Sequence, residues 1–333
     1  SYKRNRLYFW WNFICSRRNL IMPNYNGVWS LSTQYQYNTD WQADNVSPVR
    51  VFAAGIGLWF GGVSNSVVID KVNISSAGNA TDFGDLITGT YAGGAVGSTT
   101  RGVMAGIAST NQIQYVTFAT AGNATDFGDA TTVGTKSNAG SNNVRGLFFA
   151  GVPSSYHNVV DYITIANTGN ATDFGDVTNA SAGGAGFAST TRAIYGGGEA
   201  GGSNRYNNID YFTINSAGNA TDFGDLSANS ENVNGCSSNT RGIFAGVGQA
   251  DVIEYITIAS TGDVTDFGNL RADVSNMLGC TTNNTTAVMH SATNELQQIT
   301  IASTGNATDF GDLTDSRAAR TCATGNLHGG IAA

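Results

Sequence analysis

The stretch Ala217-Gly218-Asn219-Ala220-Thr221-Asp222-Phe223-Gly224-Asp225-Leu226 decides the fold, because the chain keeps repeating it. Thr-Asp-Phe-Gly recurs at Thr81, Thr125, Thr172, Thr221, Thr265 and Thr308, at intervals of 43 to 49 residues. Six copies at one period mark a repeat array, so residues 49–333 are expected to form a single domain. Ahead of each copy lie an apolar strand ending in Gly (Gly242-Ile243-Phe244-Ala245-Gly246) and an alternating strand (Ile209-Asp210-Tyr211-Phe212-Thr213-Ile214). Behind it comes a small-residue strand ending in Thr-Arg, as in Cys236 to Arg241. Apolar and polar residues alternating at period two are the mark of strands. Four short strands in each unit of this length fit a propeller blade. The expected fold is all-β: a six-bladed propeller with four antiparallel strands per blade. The segment Arg320 to Asn326 would supply the innermost strand of the blade begun by Arg50 to Gly55. A seventh blade, built from residues 22–48 with the C-terminus, is the alternative. The Gly of each Ala-Gly-Asn-Ala is expected first in the central pair of a type II′ hairpin turn, where φ is positive.

Composition narrows the class. The 333 residues include 43 Gly and only three Pro, and 12% are charged, against about 25% in an average soluble domain. Runs of Ala, Leu, Glu and Lys are missing, which excludes a long-helix protein. Net charge is −8, unevenly spread. Residues 1–21 carry Lys3, Arg4, Arg6, Arg17 and Arg18 and no acid, whereas the remainder holds 11 basic against 24 acidic residues. Nucleic acid and anionic membranes reward a positive face, so neither is an expected partner of the acidic body. The apolar run from Leu7 to Cys15 is too short to span a bilayer. Arg17-Arg18 stands where a signal peptide would be cleaved. Met22-Pro23-Asn24 reads as a natural start, so residues 1–21 are expected to be upstream or disordered sequence. Residues 22–48, with Trp29, Tyr35, Tyr37 and Trp41, are expected to pack on the ring. Four Cys make no disulfide framework. Cys236, Cys280 and Cys322 share one repeat position and read as small buried thiols, since they lack the close spacing of zinc ligands.

Two further features carry a family resemblance. Apolar strands end in runs such as Gly196-Gly197-Gly198, and an acid-Tyr pair (Asp161-Tyr162, Asp210-Tyr211, Glu254-Tyr255) opens the next strand. In this the array resembles the kelch repeat, which implies a β-propeller. The Gly-Asn-Ala-Thr-Asp-Phe-Gly-Asp motif, with Asn24-Tyr25-Asn26-Gly27-Val28-Trp29-Ser30-Leu31, further resembles kelch-like proteins of marine phages and marine metagenomes. That match spans nearly all of residues 22–333. It implies a virion structural or tail-associated attachment protein, found in the virion or outside the cell after cytoplasmic assembly. The chain departs from the kelch pattern twice. Kelch units carry a Trp soon after the Tyr, whereas Phe174 follows Tyr162 only twelve residues on. The sixth unit also reads Val288-Met289-His290 where others have their Gly pair.

Strand polarity sorts the loops. In an antiparallel blade, the loops joining strands one to two and three to four share a face. The loops joining two to three, and blade to blade, share the other. The first set is nearly constant (Thr100-Arg101-Gly102, Thr191-Arg192-Ala193, Thr240-Arg241-Gly242). The second varies, and varied repeat loops tend to mark a binding face. Its aromatic and charged residues, of the types that make hot spots, are the candidate ligand contacts: Trp59, Phe60, Tyr156, His157, Glu199, Arg205 and Tyr206. The expected partner is a host-surface glycan or protein, or another virion protein.

The remaining motifs have structural readings. Asp-Phe-Gly lacks every other part of a kinase. Phe83, Phe127, Phe174, Phe223, Phe267 and Phe310 are instead expected to pack between blades. Asp pairs such as Asp82 with Asp85 and Asp126 with Asp129 are weak calcium candidates, two carboxylates being far short of a coordination set. Arg101, Arg145, Arg192 and Arg241, with Arg50, are expected to pair with a carboxylate or carbonyl at blade junctions, which the guanidinium fork suits. The sequons at Asn79, Asn123, Asn170, Asn219 and Asn306 read as turn residues. His157, His290 and His328 lie in different units, and no copper-oxidase or sialidase set is present. The expectation is a non-enzymatic protein without a cofactor. A purely architectural propeller and a polysaccharide-acting propeller enzyme are the alternatives.

Overall fold

Each repeat contributes one four-stranded antiparallel sheet, and six sheets form a β-propeller. The computed structural model describes residues 55–331 except 91, 108–109, 136–137, 153–154, 273–278, 292 and 318–320. The expectations for residues 1–21, residues 22–48 and Arg50 lie outside the described residues. From the innermost strand outward, blade one is Cys322–Gly325, Ile56–Phe60, Val68–Asn73 and Thr81–Asp85. Blade two is Gly94–Gly97, Arg101–Ala105, Gln112–Thr117 and Thr125–Asp129. Blade three is Asn138–Ser141, Arg145–Gly151, His157–Thr164 and Thr172–Asp176. Blade four is Ala185–Ala188, Arg192–Gly196, Tyr206–Thr213 and Thr221–Ser230. Blade five is Asn234–Ser237, Arg241–Val247, Val252–Thr257 and Thr265–Asn269. Blade six is Cys280–Thr282, Thr286–His290, Glu295–Thr300 and Thr308–Asp312. The C-terminal strand pairs Gly325 with Gly57 and Cys322 with Phe60. Chain end and first repeat therefore complete one blade together, and the ring has no loose edge there.

The core lies between blades. Phe83 of blade one, 2% exposed, packs with Met104 and Phe118 of blade two, and the other five motif phenylalanines are equally buried at successive junctions. Second strands are covered by a blade on either side, so they read as continuous apolar runs rather than alternating ones. The innermost strands converge on the axis and are built mostly of Gly, Ala, Ser, Thr and Cys, with Val96, Asn138, Phe187 and Asn234 among them.

The repeated motif is the fastener of the outer rim. Gly122 N and Ala124 N donate to the Phe83 and Asp85 carbonyls (2.8 and 2.7 Å). Asp85 N donates back to Asn123 Oδ1 (3.1 Å). The pattern runs around the whole ring and closes where Gly78 N and Ala80 N meet the Phe310 and Asp312 carbonyls, with Asp312 N on Asn79 Oδ1. Asp263 takes the Asn place in blade five. Each outer strand is thus covered by the next blade's Gly-Asn-Ala segment, which leaves no exposed edge to template aggregation. The type II′ expectation is overturned. The tight turn lies earlier, with Ser76 N on the Asn73 carbonyl, and Gly78, at φ 159°, is extended backbone lying along the neighbour. The Gly that must be Gly is Gly84 of Thr-Asp-Phe-Gly. Its φ is 149°, and a Cβ there would collide with the Gly122 carbonyl. A register shift beside Phe83, repeated in all six blades, is a β-bulge. It turns the Phe inward while Asp82 and Asp85 remain outside.

A second ring of fasteners is buried. Asp70, Gln114, Asp161, Asp210, Glu254 and Gln297 hold one position in the third strand, and none is more than 3% exposed. Each accepts a backbone N–H from the previous blade, two residues past its Thr-Asp-Phe-Gly-Asp (or Asn) motif, as Thr178 N donates to Asp210 Oδ2 (2.7 Å) and Arg271 N to Gln297 Oε1 (2.9 Å). Burial pushes the Asp210 carboxyl above the ordinary Asp range. At the closing junction Asp70 also accepts from the buried Arg317 (2.8 Å), whose Nη1 reaches the Gly61 carbonyl.

The recurring arginines occupy the opposite edge. Arg101, Arg145, Arg192 and Arg241 each lie over the Tyr of their own third strand, at 4.2 to 5.1 Å from the ring centre. Each also donates to a carbonyl of the next blade, Arg241 Nη1 to Ile301 O at 2.8 Å. Arg241→Ala is expected to cost about 1–2 kcal/mol, from the lost cation–π contact and hydrogen bond. Urea unfolding measures it, and an unchanged midpoint would show the contact to be ornamental.

One cysteine expectation is corrected. Cys236 and Cys280 form a disulfide, with Cα atoms 5.8 Å apart, inside the bridging range. Inner strands of adjacent blades stand side by side, so equivalent repeat positions 44 residues apart in sequence meet in space. Cys322 is a free buried thiol, its pKa pushed up to about 12 by burial.

Candidate functional site

A propeller offers two places for chemistry, its axis and its loop faces. The axial cavity has room of about 40 Å³ for the centres of water-sized molecules. Small-molecule sites are roughly ten times larger, so the axis does not take a metabolite. The constant-loop end of the axis is crossed by the chain's own C-terminal segment. Ile56 N donates to Asn326 Oδ1 (2.8 Å), Gly329 N to the Ser237 carbonyl (2.9 Å), and His328 Nε2 reaches the Gly97 carbonyl (2.8 Å). His328 Nδ1 accepts from Gly330 N (3.1 Å), and burial lowers the ring's pKa to about 4. His328 is therefore a neutral structural pin rather than an acid–base group.

The variable face brings most of the candidate ligand residues together, across blades three to five. In blade four, residues 198–206 form a small hairpin. Tyr206 N donates to the Gly198 carbonyl and Ala200 N to the Asn204 carbonyl. Its tip, Gly201-Gly202-Ser203, has φ of 82°, 63° and 76°, which favours glycine. The Tyr156 ring of blade three lies against Gly201, where a Cβ would come within 2.9 Å of it. Tyr156 OH donates to Glu199 Oε1 (3.2 Å). On the hairpin's other flank, Arg205 donates through Nε (2.9 Å) and Nη2 (2.5 Å) to Glu231 Oε1. Gln249 of blade five donates to the same oxygen (2.9 Å). Tyr206 is half-buried opposite Ser230, and half-buried His157 opens the third strand of blade three. Glu231 and Gln249 had no sequence signal of their own. Each lies in a polar connection and acquires a role only through the neighbouring blade.

Trp59 and Phe60 do not belong to this surface, which corrects their assignment as ligand contacts. They are 0% and 1% exposed, in the second strand of blade one. Trp59 fills the junction with blade six beside Val288, Leu296 and Phe310, and its Nε1 donates to the Gly279 carbonyl (3.2 Å). Leu58-Trp59-Phe60-Gly61-Gly62 resembled a loop because its two glycines follow directly, but its apolar residues are strand core. His290 is likewise internal. Its ring contacts Thr321 Oγ1 and the Thr293 carbonyl, and burial lowers its pKa to about 4.

Asp82, Asp85, Asp126 and Asp129 lie on the outer rim, as two carboxylates per blade. Among the described residues no group of three or more His, Cys, Asp or Glu converges to hold a metal. No described helix is long and apolar enough to cross a membrane. No family model matches the chain, and no curated protein matches its sequence. Fold and repeat define the class: a six-bladed β-propeller repeat protein.

Proposed function

We propose that this protein is a non-catalytic binding module whose variable face recognises a host-surface glycan or protein. Its proposed setting is a phage-type virion, where it acts in tail-associated attachment. The setting rests on the resemblance of the repeat. The binding role rests on one observation above others. Tyr156–Glu199 and Arg205–Glu231–Gln249 knit three blades' varied loops into one preorganised polar and aromatic surface. The opposite face repeats one sequence and is partly occupied by the protein's own C-terminus. A rigid platform with changeable loops lowers the ordering cost of binding.

The test is binding to glycan arrays and to cells of susceptible hosts. The triple variant Tyr156→Ala, Arg205→Ala, Tyr206→Ala is expected to lose about 100-fold in affinity, with a melting temperature within a few degrees of the parent. Undiminished binding by the folded variant would place recognition elsewhere. Release of sugar products by the parent protein would replace the binding reading with an enzymatic one.

A further inference from the structure

We infer that the constant face docks an acidic protein segment, with Val144 as the apolar centre of the contact and an arc of unpaired cations around it. Among the described residues, three cations pair with carboxylates: Arg205 with Glu231, Arg271 with Glu295 and Arg317 with Asp70. The other five, Lys71, Arg101, Arg145, Arg192 and Arg241, form no ion pair. All five lie at the constant-face edge. The arginines open the second strands of blades two to five. Lys71 takes the place of Tyr115 in blade one, each standing opposite the Thr of its motif. The described loops of this face hold one acid, Asp263, whose Oδ1 already accepts from Asp225 N (3.0 Å).

The arginines are set for carboxylates. Stacking on Tyr and a bond from Nη1 to the next blade's carbonyl fix each guanidinium plane. Nε and Nη2 form the edge that grips a carboxylate bidentately. In all four they bond to nothing in the protein and are not buried. Side chains already held in place lose little freedom on binding. The chain's net charge is −8, so an acidic partner is repelled elsewhere and steered to this face. Val144 selects protein over other polyanions. It is 57% exposed, more than any other large hydrophobic among the described residues. It precedes Arg145 in blade three, the middle one of the five cation-bearing blades. A sulfated or uronic polysaccharide supplies anions without an apolar side chain to cover it.

The probe is a fluorescent peptide of glutamates around one leucine, its affinity for the full chain read by anisotropy at low salt. Val144→Asp is expected to weaken binding about tenfold, and Arg145→Gln by a similar factor. Val144→Lys is expected to strengthen it about threefold. Val144 is exposed, so both of its variants keep the fold, which circular dichroism checks. The variable-face triple variant is expected to bind the peptide as the parent does, so this inference and the host-binding reading fail separately. A parent without affinity for the peptide, or equal affinity in parent and Val144→Asp, overturns the inference. Equal binding of a peptide with serine in place of the leucine also overturns it, by showing a general polyanion surface.

Discussion

Acidification from pH 7 to pH 4 is expected to remove several kcal/mol of stability, about 3 kcal/mol for each of His290 and His328. Both rings are buried and hydrogen-bonded as neutral imidazoles, and burial lowers each pKa from 6.5 to about 4. The unfolded chain takes up a proton at each ring as pH falls through 6.5, whereas the folded protein does not until about 4. Between those values the unfolded state binds more protons, so stability falls with pH. At about 1.4 kcal/mol per unit, each ring contributes the stated amount. The contribution is complete above pH 6.5 and spent by pH 4. Charging His328 sets a new N–H against the Gly330 N–H, and charging His290 places a second cation near Arg317. Denaturant unfolding at pH 7, 5.5 and 4 is the measurement. The double variant His290→Gln, His328→Gln should be less stable at pH 7 but flatter across the range. Equal slopes for parent and variant would assign acid sensitivity to the carboxylates instead.

Asp70→Ala is expected to cost about 3–5 kcal/mol, more than any single change on the surface. Asp70 and Arg317 are 0% and 2% exposed, and the carboxylate also holds Thr314 through both its N–H and its hydroxyl. Removal strands a guanidinium in the interior, where the nearest compensation is a pair of carbonyls. Substituting both partners, Asp70→Leu with Arg317→Met, should restore much of the loss, because it removes the buried charge along with the pairing. The contrast is Arg205–Glu231, whose side chains are 36% and 12% exposed. Breaking that pair should cost no more than about 1 kcal/mol. Urea titrations compare the three. A loss below about 1 kcal/mol for Asp70→Ala would mean that water reaches Arg317 and that the closing junction is looser than its geometry.

These two predictions concern residues whose importance is unequally visible in sequence. Asp70 belongs to a repeating position, and acid-Tyr pairs flag that position in three blades. Arg317 has no counterpart in the other repeats. It matters because the closing junction joins the first repeat to the last. His328 is similar. It follows the last strand, outside the period, and becomes a pin only because the ring brings residues 97, 141, 237 and 328 to one axis.

Period and alternation by themselves determined the all-β class, the six repeats of four strands and the inward Phe of each motif. All of these depend on local pattern and on an environment that every repeat shares. Six blades rather than seven followed from the pairing of Cys322–Gly325 with Ile56–Phe60. Tertiary structure alone decided the rest. It moved Trp59 and Phe60 from loop to core, joined Cys236 to Cys280, turned the Gly-Asn-Ala segment from a hairpin corner into a rim fastener, and added Glu231 and Gln249 to the variable face. Each of those outcomes is a meeting between adjacent blades. Such adjacency arises when the ring closes, and a linear reading of one repeat carries no record of what its neighbour places opposite.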